Sequence, residues 1–280
     1  MASEDHLATL LQPFLDAPGN AGVLTDFDGT LAPIVDDPVG ARPLPNAVAT
    51  LHRLARHYRR VAVVSGRPAS FLMAQLGTDH DELVQGKAAG EGLIVCGLYG
   101  LEAGSGGVVT AHPGGEEWKP VVDHMADEAD EQMPDGVVVE RKGLTVTLHF
   151  RTRPDAVDWV RAWADEAAAR SGLGVHPARM SFELVPPIPT DKGSVVWDLA
   201  VGLDAVCFLG DDVGDLPAFD ALDRLRAEGV HTVKVVVASS EASSRLLDAG
   251  DVIVEGPEGA LDVLTRLVPA QDPSGPAASS

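Results

Sequence analysis

AGVLTDFDGTL, residues 21–31, is an apolar run that ends in two aspartates two positions apart, followed by Gly-Thr-Leu. An uninterrupted apolar run bounded by turn residues reads as a strand buried on both faces, the mark of a parallel sheet in an α/β protein. In open α/β sheets the crevice at the carboxyl ends of the strands is where ligands bind. Asp26 and Asp28 are therefore expected at that edge, with Gly29 allowing a tight turn. Two carboxylates this close repel unless a positive charge lies between them, and a hard divalent cation such as Mg²⁺ meets that need.

The chain on either side continues the pattern. A helix over 45–57 leads to the apolar run Val61–Val64, which ends in Ser65-Gly66-Arg67-Pro68. A helix near 68–76 precedes a strand over Leu93–Cys96, which runs into Gly97-Leu98-Tyr99-Gly100-Leu101-Glu102. Alternation of this kind predicts βαβ units. It resumes at Thr190-Asp191-Lys192-Gly193, where Thr190 or Asp191 is suited to cap a helix. A strand over Ala205–Leu209 ends in Gly210-Asp211-Asp212-Val213-Gly214-Asp215, and strands at 232–237 and 252–254 with a helix at 258–268 close the core.

Between these halves the periodicity changes. A helix over 116–132, a hairpin of 137–140 with 144–151, a helix from Pro154 to about Arg170 and a strand pair at 174–176 and 179–185 predict an inserted α+β domain. Leu144, Val146, Leu148 and Phe150 alternate with Thr145, Thr147, His149 and Arg151, and Met180, Phe182 and Leu184 with Arg179, Ser181 and Glu183. The apolar set is expected to pack on the two helices, leaving an open polar face suited to a polyol. The expected organisation is an N-terminal helix in 1–20, a core of 21–107 and 187–268, an insert of 108–186 and a disordered tail of 269–280. The glycine-rich stretch 104–107 and Pro186-Pro187 are the expected crossings and hinges.

Composition narrows the partners. With 45% hydrophobic residues the chain can bury a full core, and its net charge of −21 disfavours nucleic acid or an anionic membrane as partner. An anionic substrate must then be drawn in by local cations or a metal. The two cysteines, Cys96 and Cys207, lie in apolar runs and read as buried free thiols, consistent with a reducing cytoplasm. No secretion signal is expected in residues 1–20, and no apolar run is long enough to span a membrane.

The order DFDGT, SGR, Lys and GDDxxD closely resembles the haloacid dehalogenase superfamily over nearly all of 21–268. The insert is similar to that of the trehalose-6-phosphate phosphatases: the matching residues are GLYGLE at 97–102, Glu140-x-Lys142 followed by Arg151, and Arg179-x-x-x-Glu183 shortly before Asp191-Lys192-Gly193. The resemblance implies a Rossmann-like core with a cap and an aspartyl-phosphate mechanism. Asp26 would be the nucleophile and Asp28 the general acid and base. Mg²⁺ would be held by Asp26, Asp211 and the Asp28 carbonyl. Ser65 and Lys192 would bind phosphate oxygens, and Asp215 would position Lys192 or metal-bound water, with Thr30 and Asp212 in support. Gly66, Arg67, Glu102, Glu140, Lys142, Arg151, Arg179 and Glu183 would bind the substrate. A phosphosugar substrate and a trehalose-6-phosphate synthase as partner are further implications.

Three positions depart from the family pattern. Arg179 stands where Lys is usual, Gly214-Asp215-Leu216 where Thr-Asp-Glu is usual, and Leu98-Tyr99 where a more polar pair is common. The residues leave open a related phosphosugar, such as sucrose phosphate or glucosyl- or mannosyl-glycerate phosphate. They also leave open a catalytically silent partner of a glycosyltransferase.

Overall fold

The computed structural model describes residues 4–35, 40–78, 92–178, 180–239 and 242–270. Two compact units form, one from Met1–Val109 with Thr190–Ser280, the other from Thr110–Pro189. The expected tail over 269–280 lies almost entirely outside the described residues.

Strands β1 (Ala21–Thr25), β2 (Arg60–Val64) and β3 (Leu93–Gly97) run parallel in the first unit, and so do β10 (Ala205–Gly210), β11 (His231–Ala238) and β12 (Val252–Glu255). Antiparallel β4 (Glu102–Ser105) and then β5 (Val108–Ala111) extend the sheet, giving the order β12-β11-β10-β1-β2-β3-β4-β5. The parallel-sheet core expected from the sequence is borne out. The glycine-rich stretch 104–107, expected as a boundary, holds the end of β4 and the turn into β5, with Gly106 and Gly107 at φ 57° and 82°, shortly before the division of the two units between Val109 and Thr110.

Each central strand is apolar on both sides because both faces are covered. Val23, Val61, Val63, Cys207, Leu209, Val233 and Val235 pack with Leu11 and Phe14 of α1 (Glu4–Asp16), Leu51 and Leu54 of α2 (Ala47–His57), Leu72 and Leu76 of α3 (Ala69–Leu76) and Leu264 of α9 (Gly256–Arg266). On the other face Leu24, Ala62, Val64, Val206 and Phe208 meet Val196 of α6 (Lys192–Leu199), Phe219 and Leu222 of α7 (Leu216–Ala227) and Leu246 of α8 (Ser244–Ala249). Helices α7 and α8 go beyond what the sequence predicted. Pro217 falls in the first turn of α7, where its missing N–H costs nothing.

The second unit holds the antiparallel sheet β6 (Val138–Arg141), β7 (Val146–His149), β9 (Ser181–Val185) and β8 (Gly174–Ala178), in that spatial order. Its helices are α4 (Lys119–Gln132) and α5 (Val157–Ser171). Val146, Leu148, Phe150, Phe182 and Leu184 form one core with Met125 and Ala129 of α4 and Val160, Trp163 and Ala167 of α5, as the alternation predicts. The opposite face is less open than alternation alone implies, since Thr145, Thr147, Ser181 and Glu183 are all buried. Among the described residues, no helix is long and apolar enough to cross a membrane.

Candidate active site

Chain order places the motifs. From β1 the chain moves outward through β2 and β3, and β10 later returns to pair with β1 on its other side before the chain moves outward again through β11 and β12. The direction of winding thus reverses between β1 and β10, which is where a parallel sheet opens a crevice. Thr25 lies level with Leu209 of β10 and Val63 of β2. Asp26, Asp211 and Ser65 therefore follow three adjacent strands at one sheet edge. The Asp26 N–H donates to the Leu209 carbonyl at 2.8 Å, carrying the ladder one residue further.

Lys192 reaches this edge from the first residue of α6. Asp191 caps that helix through a capping box: its carboxylate accepts the Ser194 N–H at 2.8 Å, and the Asp191 N–H donates to Ser194 Oγ at 2.9 Å. Lys192 Nζ lies 2.8 Å from Asp26 Oδ1 and 2.6 Å from Asp215 Oδ1, and all three side chains are buried. The other oxygen of Asp215 accepts the N–H groups of Asp211 and Asp212 at 2.9 and 3.1 Å. Both Asp215 oxygens are thus engaged, which suits it to holding Lys192 and the 211–212 loop. Asp212 caps the short turn after β10, taking the Gly214 N–H at 2.7 Å.

Charge is out of balance here. Oxygens of Asp26, Asp211 and Asp215 all lie within 4.8 Å of one another beside one ammonium. Burial disfavours the Lys192 charge, but Asp215 and Asp26 outweigh it and hold the ammonium protonated far above its usual range. Burial, with Asp215 and Asp211 beside it, pushes Asp26 well up despite the pull of Lys192. Asp211 is pushed up to about 7, by burial first and then by the charges of Asp215 and Asp212. A site in which buried carboxylates resist ionisation lacks positive charge, and all-oxygen donors suit a hard divalent cation. Gly29 makes the same cluster possible. Its φ is 77°, and a Cβ there would fall 1.9 Å from Asp211 Oδ2.

Asp28 lies outside the carboxylate cluster. Arg67 donates from Nε to Asp28 Oδ2 at 2.7 Å and from Nη2 to Oδ1 at 2.6 Å, a bidentate pair. The guanidinium also lies 4.9 Å from the centre of the Phe71 ring, which meets Phe27 edge-on. Ser65 is buried, and its Oγ accepts the Arg67 N–H at 3.2 Å. Thr30 is fully buried, and its hydroxyl has no hydrogen-bond partner among the described residues. Glu102 accepts the Ala69 N–H at 2.8 Å and so serves the N-terminus of α3. Burial raises its pKa against the pull of that N–H.

A second group forms on the polar face of the other unit. His149 Nε2 lies 2.8 Å from Glu140 Oε2, and Lys142 Nζ lies 3.8 Å from Glu140 and 3.4 Å from Glu183 Oε1. The Thr145 hydroxyl donates to Glu183 at 2.6 Å. Arg151 is exposed just beyond β7, and Arg179 lies outside the described residues. Sequence reasoning placed His149 and Thr145 on this face without their partners. The signal was the diagonal relation of Glu140 on β6 to His149 on β7, which appears only once the hairpin register is known.

The family profile described as trehalose-phosphatase matches residues 24–250. A curated trehalose-phosphate phosphatase of Mycobacterium leprae is 32% identical over 239 residues, which are 80% of this chain and 52% of that protein. One of Mycobacterium avium is 32% identical over 262 residues, 88% of this chain and 61% of its own length. The chain thus spans little more than half the length of the curated relatives it matches. Of solved structures, the C-terminal domain of C. albicans trehalose-6-phosphate phosphatase matches with a TM-score of 0.70 at 22% identity, covering 94% of this chain and 96% of that one. A trehalose-6-phosphate phosphatase related protein matches at 0.68 and 19% identity, covering 88% of this chain and 95% of that one. These two structural likenesses speak to the fold, whereas the family profile takes in the four motif ends from Asp26 to Asp215. On that match the chain belongs to the trehalose-phosphatase family.

Proposed function

We propose that this chain is a Mg²⁺-dependent phosphatase of trehalose biosynthesis that converts trehalose 6-phosphate to trehalose and inorganic phosphate through an aspartyl-phosphate on Asp26. The observation that carries this reading is the buried ammonium of Lys192 bridging Asp26 and Asp215 beside Asp211. Phosphoryl transfer needs an in-line nucleophile and positive charge around the phosphorus, and little else from the protein. Lys192 fixes one Asp26 oxygen, and an Asp26 oxygen attacks phosphorus as the bond to the sugar oxygen breaks. Asp28 donates its proton to that sugar oxygen, then takes one from the water that attacks the aspartyl-phosphate and releases inorganic phosphate. The Arg67 pair occupies both Asp28 oxygens, so acid–base work needs that pair to open. Phosphate is a competing partner for the same guanidinium, and Ser65 and Gly66 flank it in the turn.

Asp26, Asp211 and the Asp28 carbonyl would hold Mg²⁺, which supplies charge neutralisation for the phosphate oxygens. Thr30 and Asp212 support the loops that carry these groups. Glu140, Lys142, Arg151, Arg179 and Glu183 recognise the sugar hydroxyls, and Glu102 keeps the substrate side of α3 in place. A trehalose-6-phosphate synthase is the source of the substrate and a candidate partner.

Phosphate release by the purified chain tests the reading, with trehalose 6-phosphate, sucrose phosphate and glucosyl- and mannosyl-glycerate phosphates as substrates. Trehalose 6-phosphate should be preferred by about tenfold or more in kcat/KM. EDTA should abolish release and Mg²⁺ should restore it better than Ca²⁺, which accepts looser coordination. Preference for another phosphosugar reassigns the substrate, and no release from any of them in Mg²⁺ makes the chain a silent partner of a glycosyltransferase.

A further inference from the structure

A left-handed turn stands against the Ser65–Arg67 segment. Leu98, Tyr99 and Gly100 have φ of 49°, 58° and 98°, and the Leu101 N–H closes the turn on the Leu98 carbonyl at 3.2 Å. L-residues avoid consecutive left-handed conformations because Cβ crowds the next carbonyl. Such outliers persist only where the surroundings over-determine them, and they gather at functional sites. Glycine or asparagine at 99 would hold the turn with less strain, so a tyrosine there directs attention to its side chain.

Leu98 has a plain role, since its side chain is fully buried and anchors the turn. Tyr99 is only partly buried, and its contacts run to two motif segments. Its N–H donates to the Ser65 carbonyl at 3.1 Å, while the Leu98 N–H donates to the Arg67 carbonyl at 2.9 Å. Its own carbonyl accepts the Thr190 hydroxyl at 2.9 Å, two residues before Lys192. Its phenol ring lies directly on Gly66, where a Cβ would fall 2.5 Å from the Tyr99 hydroxyl oxygen and 2.6 Å from Cζ.

We propose that Tyr99 is a positioning residue: its strained backbone and its ring clamp the Ser65-Gly66-Arg67 turn to the start of α6, fixing the spacing of the Ser65 hydroxyl and the Lys192 ammonium. The ring does this by covering Gly66. The inference rests on the reading of Ser65 and Lys192 as phosphate contacts.

Tyr99→Gly and Tyr99→Phe in the full chain test it, because glycine accepts the left-handed turn while losing the ring. Three quantities are read: the melting temperature, the affinity for inorganic phosphate by calorimetry in Mg²⁺, and kcat and KM on p-nitrophenyl phosphate. Tyr99→Gly should melt no lower than the parent, bind phosphate about tenfold or more weakly, and lose kcat/KM mainly through KM. Tyr99→Phe should stay within about threefold of the parent on both measures. A Tyr99→Gly chain that binds phosphate normally, or that loses melting temperature in step with affinity, overturns the proposal. So does a Tyr99→Phe chain as impaired as Tyr99→Gly, which would make the hydroxyl a ligand contact. A parent chain that binds phosphate but leaves trehalose 6-phosphate intact would refute the substrate reading and leave the role of Tyr99 standing.

Discussion

Asp26 and Lys192 form a buried pair in which each group depends on the other, and this shapes what a single substitution does. Removing one partner of such a pair leaves an uncompensated buried charge and costs about 3–5 kcal/mol. Asp26→Asn is gentler, because the amide keeps its volume and an oxygen for the Lys192 ammonium, and Asp215 still pairs with it. The fold should therefore survive while phosphate release falls by about a thousandfold or more. Near-normal turnover at saturating Mg²⁺ would mean that Asp26 serves only the metal. The two cysteines give a test by pH. Burial pushes the Cys96 and Cys207 thiols up to about 12, and both are free. An unfolded thiol ionises near about 8.5, so the unfolded chain gains thiolate first. Stability from this source is complete below that pH and is lost as pH rises towards 12; Tyr58, raised by its own burial, adds in the same direction. The urea midpoint should decline from pH 9 to 11, roughly the window between the two thiol values. At pH 8 a thiol reagent should label neither cysteine in native protein and both in denaturant. Stoichiometric native labelling would contradict the burial.

Strands and their ends were the most legible elements. Both faces of β1, β2 and β10 are buried, so their apolar runs stand out, and each ends in a polar residue of the site: Asp26, Ser65 or Asp211. The β4–β5 hairpin was hidden because Gly104, Gly106 and Gly107 read as a break, and β5 is exposed along most of its length, leaving no apolar pattern. The Arg67–Asp28 pair was also hidden, since 39 residues separate its members and only the pairing of β1 with β2 brings them together. In the other unit, alternation along β7 and β9 revealed the polar face but not its internal bonds. Glu183 pairs across the strands with Thr147 and bonds the side chain of Thr145. Glu183→Ala should cost roughly 2–3 kcal/mol in kcat/KM on trehalose 6-phosphate, through lost hydroxyl contacts and a Lys142 left with the more distant Glu140. A small aryl phosphate needs none of these contacts and should be turned over as before. Equal losses on the two substrates would show that Glu183 supports the fold instead.

At the scale of the molecule, the two units differ in how the chain builds them. The first is assembled from segments on either side of the second, and β1 pairs with β10 across about 180 residues. Residues 1–109 alone lack β10, α6 and α7, so one face of their sheet would have no cover. The second unit is one continuous segment, Thr110–Pro189, with a core of its own between β6-β7-β9-β8 and the helices α4 and α5. Aromatic contacts fall inside it: Phe150 and Phe182 lie 5.3 Å apart by ring centres, and the Trp163 indole N–H donates to Gln132 at 2.8 Å, linking α5 to α4. A segment of this size buries close to the share of its surface that single domains need, so it stands near the threshold for folding alone. Residues 110–189 expressed without the rest should therefore fold, with a cooperative urea transition and a near-ultraviolet signal from Trp163 packed in the core. Residues 1–109 should show no cooperative transition. A disordered 110–189 fragment would mean that its core depends on the first unit, and the insert would then be part of a single folding unit and not a separable module.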